Sequence, residues 1–448
     1  MTESAHPPSR QADAGARPGV PANATNNATT GGPPAGRGAG ALLRGTAAVA
    51  IGLAIAQGLG YALNLVGARV LGPDTFGAFG ALMSLLLIGN VVALGIQAVA
   101  ARRLVLLPDD ERHGASATVL RQSAAAALAV GLVTALTAPL VSSLLHLPGI
   151  WATALVALTL VPLTFAGAEF GVAQGYEANL RLGVVYAVIA LGKAGGGIVA
   201  ALAGGTLAST LTGMAIGSWI AAAVALLALR GLHAQPARAL PGAVAELAHA
   251  THALLALFVL TNIDVALARH FLPAGEAGEY AVGAIVSKVT FWLPMFIIVV
   301  AFPRMADARR GTTTVRAAGL VALIGVAVTA GVALLPGLVV AIVGGKDYAG
   351  LDASVWLFAA AGAGFALAQF LLYSRLAVAD RRVVAALWVA AAALIGGVLI
   401  FHESLTEIIT VVTVVSLALS AVGLLAMRLD GTPDADELAL VEAETGAI

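Results

Sequence analysis

Lys193 and Lys288 are the residues of this sequence that most invite a chemical role, because each ammonium falls in the middle of a long apolar run. An ionisable side chain at the centre of a lipid bilayer costs about 2.5–3.5 kcal/mol, so it faces either a wet cavity or a neutralising partner. Facing a cavity, the two lysines would attract an anion. Facing partners, Lys193 would meet Glu169 and Lys288 would meet Asp264, since each carboxylate lies at a matching depth on a neighbouring run. The two arrangements are compatible if the carboxylates hold the lysines in one state and release them in another. Asp264 has a further use open to it, as the site of a proton or Na⁺ that drives a cycle.

Uncharged polar residues recur at helical spacing beside these charges. Gln57, Tyr61 and Asn64 fall at i, i+4 and i+7 and form one stripe, and Asn90 with Gln97 forms another. Such stripes either hydrogen-bond the hydroxyls of a polar ligand or join helices within the membrane, at about 0.6 kcal/mol per bond. Arg69 and Arg269 stand at the ends of two runs, where an arginine anchors a helix at the interface or meets an anionic ligand. No pattern of a Walker A loop, HExxH or GxSxG occurs, there is no cysteine, and His249 with His252 lacks a third ligand. The expectation is a protein with no catalytic residues, no metal and no cofactor.

The elements that position these side chains follow from composition. Of 448 residues 59% are apolar and only 11% charged, against about 25% charged in a soluble domain. Twelve apolar runs lie between residues 41 and 428, each near the ~20 residues that an α-helix needs to cross a ~30 Å hydrocarbon core. The 24 basic residues are 21 Arg and three Lys, the third being Lys346, and their placement tests this parsing. With twelve spans, 19 arginines fall on the side of the N-terminus, while only Arg69, Arg269 and Lys346 fall on the other. By the positive-inside rule both termini are cytoplasmic. Lys193 and Lys288 then lie about ten residues into their helices, roughly 15 Å deep. The segments between spans are too short for an extramembrane catalytic or nucleotide-binding domain.

Residues 64–73 and 264–273 align without a gap at an offset of 200, with Ala68-Arg69 on Ala268-Arg269 and Pro73 on Pro273. At an offset of 201, Gly77-Ala-Phe79 falls on Gly278-Glu-Tyr280 and Arg103 on Arg304. Two six-helix halves are therefore parallel repeats around an axis normal to the membrane. The expected organisation is a disordered cytoplasmic tail (1–40), an N-lobe (41–230), a cytoplasmic linker (231–247), a C-lobe (248–428) and an acidic cytoplasmic tail (429–448). The fold class is all-α: a polytopic membrane protein of twelve transmembrane helices enclosing a central cavity.

The stretch Ala68-Arg-Val-Leu-Gly-Pro-Asp-Thr-Phe-Gly-Ala-Phe79 resembles the helix 1 to 2 signature of polysaccharide-biosynthesis flippases. These belong to the multidrug/oligosaccharidyl-lipid/polysaccharide exporter superfamily. Asn262-Ile-Asp264, Ala277-Gly-Glu-Tyr280, Phe302-Pro-Arg304 and Ala173-Gln-Gly175 carry the same likeness, which spans about residues 41 to 428. The resemblance implies an alternating-access flippase in the bacterial cytoplasmic membrane, exporting a polyprenyl-diphosphate-linked oligosaccharide through a cavity lined by helices 1, 2, 7 and 8. Its partners would be the lipid-linked sugar, membrane lipids and polysaccharide assembly proteins, with no nucleic acid. On that reading Lys193 and Lys288 attract the diphosphate, and Gln57, Asn64, Asn90, Arg69 and Arg269 complete the substrate site. Asp264 and Glu169 serve ion coupling or charge pairing. A cation-coupled multidrug exporter of the same superfamily fits the architecture as well, but two midplane lysines oppose a cationic cargo. A membrane glycosyltransferase or polymerase would need a large catalytic loop outside the membrane.

Overall fold

The computed structural model describes residues 35–233, 242–305, 310–376 and 381–429. Most of each expected tail and about half of the expected linker fall outside these residues. The chain divides into the units Met1–Leu43 and Arg44–Ile448, and the two bundles and the site described below belong to the second.

The described residues contain helices and no strand. The run Ala35–Gly89 is two helices joined at Gly72, whose φ of 71° and ψ of 166° only glycine adopts without strain. Helix α1 ends there. Pro73 opens α2, where its missing N–H and fixed φ suit a first helical turn. After a break at Asn90, α2 continues as Val91–Val105. Helix α3 is Asp109–Leu136 with the short extension Ala138–Leu144, and α4 is Trp151–Gly175. Helix α5 comprises Asn179–Ala190, a π-helical turn Leu191–Gly195 and Gly196–Gly204, and α6 is Leu207–Ala228.

The second half repeats the order. Helix α7 is Ala243–Leu260 plus Ile263–Phe271, bent by 44° at the break, and it starts within the segment expected to be linker. At that break the Asn262 side-chain amide donates to the Phe258 carbonyl at 2.9 Å, standing in for a backbone donor that the bend removes. Then come α8 (Ala274–Met305), α9 (Arg310–Leu334 with the extension Pro336–Val343), α10 (Val355–Leu376), α11 (Arg381–Ile400) and α12 (Leu405–Leu429).

Seven of the described helical stretches are long and apolar enough to cross a membrane, and eight with the bent α7. The first, 62 residues long, is two spans joined at Gly72, and the shorter apolar helices Val355–Leu371 and Val384–Ile400 lie in α10 and α11. With α8, the helices match the twelve expected spans. Large apolar side chains such as Leu132, Leu202, Val326 and Val414 point outward, while Ser84, Thr164, Ser218 and Ser416 are buried. An apolar exterior around a core that also admits small polar residues suits lipid as the surrounding solvent.

Most packing falls within α1–α6 and within α7–α12, giving two bundles that also meet along α2 and α7. Small residues set the closest crossings, because a helix backbone approaches another only where no Cβ intervenes. A Cβ on Gly217 would lie 1.9 Å from the Gly192 carbonyl oxygen, and one on Gly196 2.4 Å from that of Gly213, so α5 and α6 are in backbone contact. Gly52 and Gly183 do the same for α1 and α5.

Candidate functional site

Between the two bundles, α1, α2, α7 and α8 line a cavity of about 80 Å³. Tyr61 and Asn64 come from α1, Gly80 and Met83 from α2, Val265 from α7 and Lys288 from α8. These are the four helices expected to form the cavity. Asn64 donates its side-chain N–H to the Gly60 carbonyl at 2.9 Å, which fixes its rotamer against its own helix. Tyr61 and Asn64 lie on one face because three residues make nearly one turn. Gln57, half-buried one turn earlier, is outside the lining.

Lys288 stands within electrostatic range of Asp264 but makes no ion pair within 4.0 Å among the described residues. The Asp264 carboxylate is instead fixed by the hydroxyl of Tyr280, which donates to Oδ2 at 2.9 Å. Asp264 occupies the first turn after the break in α7, where unpaired backbone amides and the positive end of the helix favour an anion. Its Oδ1 is buried without a hydrogen-bond partner, and so is Oδ1 of Asn262 two residues before it. Two unmet acceptor oxygens beside a helix break are groups that a proton or a small cation would satisfy. Tyr280 was not anticipated as a partner, although Gly278-Glu-Tyr280 is part of the repeat.

The second lysine is placed differently. Lys193 sits in the π-helical turn of α5, is half-buried and is not among the residues lining the space between the bundles. Helix α5 packs on α6 through Gly192 and Gly196 and on α1 through Gly197, which meets Leu63, so it stands behind α1. The expected pairing with Glu169 is also absent: Glu169 is fully buried, and neither carboxylate oxygen has a hydrogen-bond partner. Asn90 forms the break in α2, and its buried Oδ1 is likewise unpartnered. Gln97, on the same stripe, joins helices: its amide donates to Gln174 Oε1 at 3.1 Å and to the Tyr186 hydroxyl at 2.9 Å. Among the described residues no cluster of three metal-ligating side chains forms.

At the arginine-poor end the space is shut. A Cβ on Gly278 would lie 2.0 Å from the Pro73 carbonyl oxygen, one on Gly77 2.8 Å from the Gly278 nitrogen, and one on Gly80 2.7 Å from the Ala281 Cβ. Gly77 and Gly278 are repeat mates, so α2 and α8 cross backbone to backbone where the two bundles meet. Arg69 and Arg269 are at this end too, engaged with backbone carbonyls rather than with the space below. At the arginine-rich end, Glu246 of α7 binds Arg103 of α2 at 2.8 Å and Arg102 at 3.3 Å.

No protein-family model and no curated protein sequence matches the chain. Solved structures do. An inward-facing multidrug resistance MATE family transporter of the MOP superfamily aligns with a TM-score of 0.63 at 14% identity, over 85% of this chain and 98% of that one. The lipid II flippase MurJ, in an inward closed conformation, aligns with a TM-score of 0.64 at 10% identity, over 89% and 96%. The chain has the fold of MOP-superfamily transporters. A eukaryotic MATE transporter gives a TM-score of 0.59 at 12% identity over 88% of this chain, so the MOP fold covers both bundles. The neighbours include drug exporters and a lipid flippase, and the fold does not choose between such cargoes.

Proposed function

We propose that this protein is an alternating-access flippase that moves a polyprenyl-diphosphate-linked oligosaccharide, or a related cell-envelope precursor, out across the bacterial cytoplasmic membrane. Its arginine-rich end is cytoplasmic on this reading and its arginine-poor end faces outward. The observation that carries the proposal is the position of Lys288. A lysine without a contact ion pair, opening on the space between two repeat-related bundles, offers a point charge to a phosphate, while Asn64 and Tyr61 offer hydrogen bonds from the opposite wall. The resemblance of residues 68–79 to polysaccharide-biosynthesis flippases supports the same cargo.

Energy for the cycle enters at Asp264. Its position at the broken turn of α7, with unmet oxygens on Asp264 and Asn262, supports coupling to a proton or Na⁺. Two lobes, residues 41–230 and 248–428, rock so that the contact between α2 and α8 is made in one state and parted in the other.

Purified protein in vesicles containing a fluorescent polyprenyl-diphosphate sugar tests the proposal. Leaflet exchange, read by quenching from one side, should accelerate with the protein present and with an imposed ion gradient. Efflux of small organic cations without any movement of the lipid would instead establish a multidrug exporter.

A further inference from the structure

Arg69 and Arg269 are repeat mates on α1 and α7, and each reaches across to the opposite bundle. Arg69 Nη2 donates to the carbonyls of Ile342 and of Ala341, the latter at 3.4 Å, in the last turn of the α9 extension. Arg269 Nε donates to the carbonyl of Leu145 at 3.1 Å, the residue that ends the α3 extension, and Nη1 to that of Asp74 at 3.5 Å. The short extensions of α3 and α9 occupy equivalent places in the two halves. Thus the same arginine, twice, caps the same helix end of the other bundle.

Beside Arg269, the His270 ring nitrogen Nδ1 lies 2.7 Å from the Leu144 carbonyl oxygen. Beside Arg69, the Tyr348 hydroxyl, on the loop between α9 and α10, donates to the Ala68 carbonyl at 2.9 Å. Burial and then the Asp347 charge hold the Tyr348 phenol above its usual range, so it stays a donor.

We infer that Arg69 and Arg269 are paired latches that hold the outer end of the transport path closed. The chemistry suits a latch that must open. The last carbonyls of a helix lack intrahelical partners and carry the negative end of its dipole, so a guanidinium fork satisfies them strongly. Arg69 is exposed and Arg269 half-buried at the rim, so water replaces the arginine when the bundles separate, and neither state is left with an orphaned carbonyl. An ion pair buried at the same place would resist opening far more. The two latches differ in one respect: Arg269 also has the Asp74 charge of the opposite bundle beside it, whereas the repeat mate of Asp74 is Ala274. The inference rests on the alternating-access reading above, and its test needs no substrate.

The chain has no cysteine, so two introduced at Leu136 and Leu335, exposed at the outer ends of α3 and α9, carry the only spin labels. Pulsed dipolar spectroscopy then reads the separation of the bundles at this end. The Arg69→Gln/Arg269→Gln double variant should enlarge the long-distance population relative to the short one by about tenfold per arginine, the effect of losing one charge-assisted hydrogen bond. Arg269→Gln alone should exceed Arg69→Gln alone, because it also frees Asp74. If the double variant does not fold, Arg69→Lys/Arg269→Lys keeps the charge without the fork and should give a smaller enlargement. Unchanged distances in a variant that melts like the parent overturn the inference. A failure of the flippase reading shows itself separately, as absence of lipid movement with the distance shift still present.

Discussion

Replacing Gly278 by alanine adds a single methyl group at the point where the bundles touch. In the observed state that Cβ would sit 2.0 Å from the Pro73 carbonyl oxygen, 2.6 Å from its carbon and 2.8 Å from its Cα. All three are backbone atoms, so no rotamer change relieves the clash, and α2 and α8 must part by more than ~1 Å to restore ordinary carbon–oxygen contact. Overpacking of this kind costs about 1–3 kcal/mol. When the outer end opens the two helices no longer meet there, and the methyl then costs almost nothing. The whole penalty therefore falls on the closed state, and the open-to-closed ratio rises by roughly 5- to 150-fold. The assay is the rate at which a membrane-impermeant maleimide, applied from the outer side, reacts with a cysteine at Met83 in the space below. Gly331→Ala serves as the control, since a Cβ there meets nothing within 4 Å. A Gly278→Ala protein that labels from outside no faster than the control, while remaining folded, would refute the idea that this crossing seals the path.

Gly217→Leu drives a side chain into the Gly192 carbonyl, which is not an interface between bundles, so it should lower the melting temperature in detergent without favouring either end's opening. Asp264→Asn keeps a partner for the Tyr280 hydroxyl at 2.9 Å and should fold normally, but the dependence of transport on a proton or Na⁺ gradient should vanish; an unaltered dependence would place the coupling ion elsewhere. Glu246→Gln removes the arginine-rich-end bridge at 2.8 Å to Arg103, a partly exposed pair worth about 0.2–1 kcal/mol, so labelling from that side should rise less than about fivefold and the rise should shrink at high salt.

The features of this fold that repeat along the chain were readable from residue types. Apolar length and the one-sided arginines give twelve spans, and the register of residues 64–73 on 264–273 gives the two parallel halves. What sequence spacing does not supply is azimuth. Lys193 and Lys288 stand at similar positions along their helices, yet of the two it is Lys288 that lines the space between the bundles, because α5 lies behind α1 and α8 does not. Glu169 illustrates the same gap, being at a suitable depth for Lys193 but without any partner.

Local backbone events were hidden for a different reason. The π-helical turn in α5 and the breaks at Asn90 and Asn262 carry no proline, and the two N-cap asparagines make no side-chain capping bond, so these features depend on tertiary packing rather than on local propensity. Arg69 and Arg269 were legible as residues at helix ends, but their acceptors lie in the other half of the chain, more than 120 residues away. Only the assembled bundles bring them together.

The central claim is that one ammonium, on Lys288, receives the phosphate of the cargo. Lys288→Ala, reconstituted at wild-type density with fluorescent polyprenyl-diphosphate sugar, measures it directly. Loss of one charge-assisted contact worth about 1.5–3 kcal/mol predicts flipping slowed by roughly 10- to 150-fold, with Lys288→Arg recovering part of the rate and Lys193→Ala close to wild type. A Lys288→Ala protein that moves the lipid as fast as its parent would contradict the account.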